Sequence, residues 1–238
     1  MRFSSWTKLV LTAILTSFAK TTTANVEKTI FTAPVAVAVP DVRPSLQDLR
    51  LTSLTPVKHT LRANLPVKFP TAEHSRGEQS WFLLSGLEQG QRYEVRICWP
   101  ATQQPTSFWL DVYTITSVFD TPDLISALAE HSENLSETKA VVAEDAAAGD
   151  SETGPASVLF LHIQAAADFF TLNKTLMNDP PDVKAEIILD PYILNVLPRS
   201  LVPTGIHIVA SAVGSWFVAS LIIRWITSIE SPTKPHKE

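Results

Sequence analysis

The stretch GLEQGQRYEVRI, residues 86–97, joins a glycine-containing turn to a strand-like run. Tyr93, Val95 and Ile97 take alternate positions in this run, and charged residues occupy the positions between them. Side chains on a β-strand point alternately to the two faces of its sheet. The pattern therefore predicts a strand that turns one apolar face to a core and one polar face outward.

Similar short apolar or alternating runs recur on both sides of this stretch, with prolines and other turn residues between them. They cover residues 29–32, 35–39, 67–69, 80–84, 93–99, 107–115, 158–165 and 183–189. Several short strands with turn signals between them predict a β-sandwich or a barrel. Leu46, Leu49 and Leu54 predict one short helix, and we expect no long amphipathic helix.

A leucine and a glycine-containing turn stand just before the tyrosine that opens the strand. This arrangement resembles the tyrosine corner of fibronectin type III-like sandwiches. The predicted fold class is therefore mainly β, a fibronectin type III-like sandwich domain with one C-terminal transmembrane helix. A hairpin with a buried tyrosine is the alternative explanation of the same dozen residues.

The N-terminal 24 residues contain three basic residues and no acidic one. Their apolar run at 9–19 is too short to cross a bilayer, and small polar residues follow it. Residues 1–24 are thus predicted to be a signal peptide, cleaved between Ala24 and Asn25. A buried N-terminal helix is the alternative. Removal of the segment would change the net charge of the chain from −5 to −8.

A second apolar segment lies near the other end, where residues 200–223 contain no charged side chain. A helix of 20 residues spans about 30 Å, the thickness of a bilayer core. We predict a transmembrane helix at 204–226, a lumenal domain at 25–203 and a cytosolic tail at 227–238. The basic residues of the tail indicate type I orientation.

Two alternatives to a retained transmembrane helix remain at this point. One is a buried core helix. The other is a removable signal for a glycosylphosphatidylinositol (GPI) anchor, which normally ends in the apolar segment itself. The polar, charged tail that follows this segment favours the retained helix.

The predicted span carries small residues at Ser211, Gly214, Ser215 and Ala219. Such a stripe lets another membrane helix approach closely, although small residues are also common in spans generally. The final five residues, KPHKE, have a K-x-H-x-x pattern in which Lys234 is the first residue and His236 the third. This pattern resembles cytosolic retrieval signals for the endoplasmic reticulum.

Two sequons predict N-glycosylation of a lumenal domain, at Asn134 and Asn173. Residues 129–155 contain seven acidic residues and one lysine. Such a segment buries too little apolar area to offset the entropy of ordering it, so we predict a disordered insertion. The insertion would place Asn134 in a loop and make it the preferred acceptor. An acidic docking or cation-binding loop is the alternative, without ligand spacing to support it.

Catalytic patterns are absent from the sequence, since HExxH, GxSxG, P-loop and GxGxxG motifs do not occur. One cysteine cannot build a zinc site, and a net charge of −5 disfavours nucleic acid as a partner. We expect no catalytic residue, metal, cofactor or small-molecule substrate. His162 is predicted to be a satisfied core histidine. Cys98 is predicted to be buried and inert, with pairing to another chain as the alternative.

Five segments together carry a family resemblance: residues 25–31, 80–84, 90–99, 105–108 and 197–201. They resemble the fungal Pga-type auxiliary subunit of the second GPI mannosyltransferase. The resemblance implies a single-pass protein of the endoplasmic reticulum membrane that assists a multi-pass catalytic subunit. That enzyme adds the second mannose to the GPI-anchor precursor, using dolichol-phosphate mannose. The family offers no catalytic residues to transfer to this chain.

Two other functions fit the same architecture. A cell-surface or cargo receptor with a fibronectin-like ectodomain is the main alternative, and mature glycans would be its mark. A membrane-anchored folding assistant is a further alternative, and it would bind many partners. A resident subunit would keep immature glycans and co-purify with one multi-pass partner.

Overall fold

A computed structural model describes residues 25–36, 46, 49–72, 74–139 and 157–229. The predicted signal peptide, including Ala24, lies outside the described residues, as do Lys234 and His236 of the tail. The described strands are β1 Val26–Thr32, β2 Ser53–Leu54, β3 Thr60–Leu65, β4 Glu78–Leu87, β5 Arg92–Cys98, β6 Thr106–Thr114, β7 Ser157–Ala167, β8 Val183–Ile193 and β9 Leu197–Pro198. The described helices are α1 Ile115–Asp120, α2 Pro122–Lys139, α3 Lys174–Asn178 and α4 Val202–Ile229, with a 3₁₀ turn at Arg199–Leu201.

The strands form two sheets, so the chain is mainly β as predicted. Sheet 1 has the order β1-β5-β8-β3, with β9 beside β8, and sheet 2 has the order β2-β4-β7-β6. All pairs are antiparallel except β2 with β4. The predicted runs at 35–39 and 67–69 form no strand among the described residues, whereas β2 and β3 were not predicted.

Alternation along the strands builds the core between the two sheets. Val95 and Ile97 of β5 pack there with Ile187 of β8, and Leu161 of β7 faces them from sheet 2. These four side chains have no exposed surface. Burial of apolar area from both sheets in one contiguous cluster stabilises the sandwich.

The Tyr93 hydroxyl bonds to the turn before β5, as the hydroxyl of a tyrosine corner does. The backbone N–H of Glu88 donates to the Tyr93 hydroxyl at 3.0 Å, and this hydroxyl donates to Gln91 Oε1 at 2.8 Å. Gly90 adopts a φ of 75° in the turn, where a side chain is disfavoured. After β5 the chain crosses to sheet 2, whereas strands F and G of an immunoglobulin sandwich share a sheet. The fibronectin type III-like relationship therefore rests on the corner alone.

A helical layer covers the outer face of sheet 2. Trp81 and Phe160 of the sheet pack against Val118 of α1 and Leu128 of α2 in a second apolar cluster. The predictions for these segments were wrong in three respects. No long amphipathic helix was expected, yet α2 has 18 residues. Residues 129–139 of the acidic segment continue α2, and Leu54 lies in β2 instead of in a short helix.

The formation of α2 has local causes that the overall polarity of the segment concealed. Pro122 occupies the first helical position and Asp123 the first turn, and both are favourable at a helix start. Leu124 and Leu128, four residues apart, supply a narrow apolar stripe toward sheet 2. The acidic residues suit the opposite, solvated face. Residues 140–155, the rest of the predicted insertion, lie outside the described part of the chain.

Helix α4 is long, apolar and exposed. It has 28 residues, which corresponds to about 42 Å at 1.5 Å per residue, and none of them is buried. It includes the whole span predicted at 204–226. In the described part of the chain, the segment Arg199–Ile229 is the one candidate for a membrane-spanning helix, and the fold is consistent with a single-pass membrane protein.

Candidate functional site at the base of the membrane helix

The exit of α4 from the sandwich is fixed by hydrogen bonds. The backbone N–H of Ser200 donates to both carboxylate oxygens of Asp190, at 3.2 and 3.3 Å. Arg96 Nη1 donates to the Ser200 hydroxyl at 3.4 Å. We call Arg96, Asp190 and Ser200 the juxtamembrane clamp. It ties the 3₁₀ turn that precedes α4 to strands β5 and β8.

A second carboxylate stands directly across from the clamp. Glu94 is the register partner of Asp190, and both residues are buried. Lys28 Nζ lies 3.1 Å from Glu94 Oε2, and Arg96 Nη1 lies 3.7 Å from Glu94 Oε1. Buried carboxylates persist when cations and donors compensate them. Glu94 is compensated by Lys28 and Arg96, and Asp190 accepts hydrogen bonds from Ser200 N. These contacts connect the two carboxylates to the rest of sheet 1 and to the turn before α4.

The turn between β8 and β9 is held against the tyrosine corner. Asn195 Oδ1 accepts a hydrogen bond from Arg92 N at 2.8 Å, and its amide donates to Gly90 O at 3.0 Å. Leu194 and Asn195 have φ values of 52° and 58°. Asparagine tolerates this left-handed region, whereas leucine adopts it rarely. The two bonds of Asn195 hold the exposed Leu194 in this conformation.

His162 lies in a buried pocket between sheet 2 and α2, beside the aromatic rings of Trp81 and Tyr113. Its Nε2 is 3.1 Å from Gln79 Oε1, and its ring stacks on Trp81 at 4.3 Å between centroids. Its Nδ1 and the indole N–H of Trp81 have no hydrogen-bond partner among the described residues. The predicted satisfied core histidine is thus buried but only half satisfied.

The pocket disfavours the charged form of its histidines. Burial lowers the pKa of His162 to about 4, and the charges of Arg76 and His131 act in the same direction. Burial also lowers the pKa of His131, against the opposing charge of Glu78. The neutral imidazole is therefore the form that the folded domain holds.

Acid should destabilise the domain through His162. In the unfolded chain a histidine binds its proton near pH 6.5, whereas folded His162 binds it only near pH 4. The free energy of unfolding should fall by about 3 kcal/mol as the pH is lowered through this window. Urea unfolding of the full chain in detergent at several pH values measures this loss. His162→Gln should flatten the profile, whereas His74→Gln, at an exposed site, should not. Parallel profiles for the wild type and His162→Gln would contradict the assignment.

The two sequons have different local structures. Asn134 lies within α2, so the expectation that it stands in a loop was wrong. Asn173 is exposed and caps α3, with its Oδ1 accepting a hydrogen bond from Thr175 N at 3.0 Å. Sequons that carry glycans occur in surface loops and turns. The structure therefore favours Asn173 as the acceptor.

We expect Asn173 to carry a glycan and Asn134 to carry none. On expression in a eukaryotic secretory pathway, Asn173→Gln should remove one glycan and increase electrophoretic mobility. Asn134→Gln should leave the mobility unchanged. The comparison of both variants with and without deglycosylation is the measurement, and loss of a glycan in Asn134→Gln alone would reverse the assignment.

The remaining predicted residues fall on two surfaces. Ser211, Gly214, Ser215 and Ala219 lie on one side of α4 by their helical spacing, and an added Cβ at Gly214 would meet no atom within 4 Å. Cys98 is half-buried on the outer face of sheet 1, and burial raises the pKa of its thiol. Raising this pKa reduces the thiolate fraction that drives disulfide exchange.

Sequence reasoning missed the juxtamembrane clamp. Its one visible signal is Asp190, an acidic residue that closes the otherwise apolar run IIL of β8. Within the ranges described, no group of three or more His, Cys, Asp or Glu residues is arranged to hold a metal ion. The geometry thus defines a β-rich domain joined to one apolar helix through a hydrogen-bonded turn.

Comparison with known proteins assigns the chain to no family. No family model matches the chain, and neither a curated protein nor a solved structure matches it.

Proposed function

We propose that the protein is a non-catalytic accessory subunit of the mannosyltransferase that adds the second mannose to the GPI-anchor precursor in the endoplasmic reticulum. The observation that carries this proposal is the hydrogen-bonded junction between an apolar helix and a β-rich domain. A subunit that supports a multi-pass enzyme must hold one surface inside the membrane and another outside it in a fixed relation. The juxtamembrane clamp provides that relation through the bonds from Ser200 to Asp190.

The helix α4 supports the proposal with an exposed lateral face of small residues. Its small residues, from Ser211 to Ala219, leave room for a second helix to pack closely. The sequence resemblance to the Pga-type subunits supplies the identity of the partner, a multi-pass GPI mannosyltransferase catalytic subunit. The domain would contact the lumenal loops of that enzyme, with no small-molecule substrate and no cofactor of its own.

The test is isolation of the tagged full chain from fungal microsomes in mild detergent, followed by mass spectrometry. One dominant multi-pass mannosyltransferase is the expected result. Deletion of the chain should abolish addition of the second mannose, while the purified chain transfers no mannose alone. Capture of secretory cargo without a transferase would support the receptor, and mannosyl transfer by the chain alone would overturn the proposal.

Residence in the endoplasmic reticulum, with the N-terminal domain in the lumen, is part of the same proposal. The glycans should stay sensitive to endoglycosidase H, since the protein would not reach the compartments that mature them. Exchange of Lys234 and His236 for serine should allow export and glycan maturation. Mature glycans on the unaltered chain would contradict residence.

A further inference from the structure

We infer that the end of the β-sandwich from which α4 leaves rests on the lipid bilayer and inserts apolar loop tips into its interface. The surface involved consists of exposed apolar residues, and we call it the apolar rim. Its members are Val35, Val57, Leu194, Val196, Leu197 and Leu201. Leu194 and Val57 are 90% and 92% exposed, respectively.

Hydrogen bonds place three separate connections at this end. Ala33 N donates to Gln91 O at 2.9 Å and Gly90 N donates to Ala33 O at 3.0 Å, which sets the segment leading to Val35 beside the tyrosine corner. Asn195 is bonded to Gly90 of the same corner, so the Leu194 turn lies there too.

The third connection precedes β3. Strand β3 runs antiparallel to β8, and Leu189 N donates to His59 O at 2.8 Å. The residues before His59 therefore continue toward the end of β8 where the membrane helix begins. This register places Val57 at the same end as Leu194.

The apolar rim is continuous in the chain with α4, and this continuity identifies the lipid bilayer as the surface that the rim contacts. The helix begins at Val202, one residue after Leu201 of the rim, and the clamp fixes this junction to the sandwich. Leu201 and Leu197 of the rim stand one and five residues before Val202, the first residue of the apolar helix. With α4 in the membrane, we expect these two residues near the lipid headgroups, where apolar side chains gain free energy by entering the acyl boundary.

Positively charged side chains around the apolar rim also favour contact with a lipid bilayer. Lys58 and Arg199 are exposed and lie beside rim residues in the chain, and Arg92 is exposed and bonded through its backbone N–H to Asn195 Oδ1. Long cationic side chains of this kind reach lipid phosphates while their apolar stems stay in contact with the surface. Glu88, exposed on the corner, supplies an opposing charge.

The opposite end of the sandwich offers a matched control. Strand β7 pairs Ser157 with Leu87 near the tyrosine corner and Ala167 with Thr106 at its far end. Leu172 follows that far end and is 90% exposed, as is Leu194. The two leucines are therefore equally exposed but lie at opposite ends of the domain.

The experiment places a fluorescent label at either end of the β-sandwich, in vesicles that contain no other protein. The full chain with Cys98→Ser is given one cysteine, by Leu194→Cys, Val57→Cys or Leu172→Cys, and is labelled with an environment-sensitive nitrobenzoxadiazole probe. It is reconstituted through α4 into vesicles of phosphatidylcholine with a minority of phosphatidylinositol. Quenching by spin-labelled lipids and by a water-soluble quencher is then compared.

Lipid quenching at positions 194 and 57 should exceed that at 172 several-fold, with the reverse order for the water-soluble quencher. Equal quenching at the three positions would overturn the inference. Position 57 tests the inference independently if Leu194→Cys disturbs the turn. No transferase is present in the vesicles, so the result does not depend on the proposed function.

Discussion

Replacement of Trp81 by alanine should lower the free energy of unfolding of the domain by about 3–5 kcal/mol. Trp81 is 1% exposed and belongs to the apolar cluster that joins sheet 2 to α1 and α2. Its ring stacks on His162 and meets Phe160 edge to face at 6.2 Å. Its removal would leave a cavity between sheet and helices and would expose the half-satisfied His162 to water.

The measurement is chemical unfolding of the full chain in detergent, followed by near-ultraviolet circular dichroism. Trp109→Ala is the matched control, because Trp109 lies on the same face of sheet 2 in β6 but is only partly buried. Trp109 has Arg76 over its ring at 5.6 Å, an interaction of about 1 kcal/mol at a partly exposed site. Equal losses of unfolding free energy in the two variants would contradict the prediction that burial of Trp81 against the helices makes its loss the larger one.

Ser215→Leu should reduce the amount of multi-pass partner recovered with the chain about tenfold, which corresponds to about 1.4 kcal/mol of packing free energy. Ser215 lies at the centre of the small-residue stripe, where a leucine would hold a second helix away from the backbone of α4. The expected loss rests on the proposed function, since it requires a partner helix at this face.

Ser220→Leu provides the control for this prediction. Ser220 stands five residues from Ser215, on a different side of α4, and its hydroxyl donates to Trp216 O at 2.8 Å. The same change of residue type at Ser220 should leave recovery within about twofold of the wild type. If both variants lose the partner equally, the stripe is not the contact face. Membrane insertion of each variant is checked by alkaline extraction.

The hydrophobic pattern of the sequence predicted the parts of the fold that depend on local periodicity. Alternation over Tyr93 to Ile97 predicted β5, and the uncharged run from Ser200 predicted a membrane-spanning helix. Periodicity was less informative for α2, where a narrow apolar stripe is embedded in an acidic segment. It also missed β3, because TLRANL has the alternation but, apart from Thr60, no β-branched or aromatic residue.

Contacts between distant segments could be seen only in the tertiary structure. Asp190 and Ser200 meet because β9 folds back on β8, and Glu94 joins them across the ladder between β5 and β8. The placement of His162 outside the main core follows from the helical layer, which gives sheet 2 a second buried face.

The sequence by itself thus determined the β-rich domain, the tyrosine corner and the apolar helix, since each is specified by side chains a few positions apart. The tertiary structure alone decided the juxtamembrane clamp, the pocket of His162 and the grouping of Val57 with Leu194 at one end. Those features depend on which strands become neighbours and in what register. Strand pairing is set by burial of the whole core, so no local run of residues encodes it.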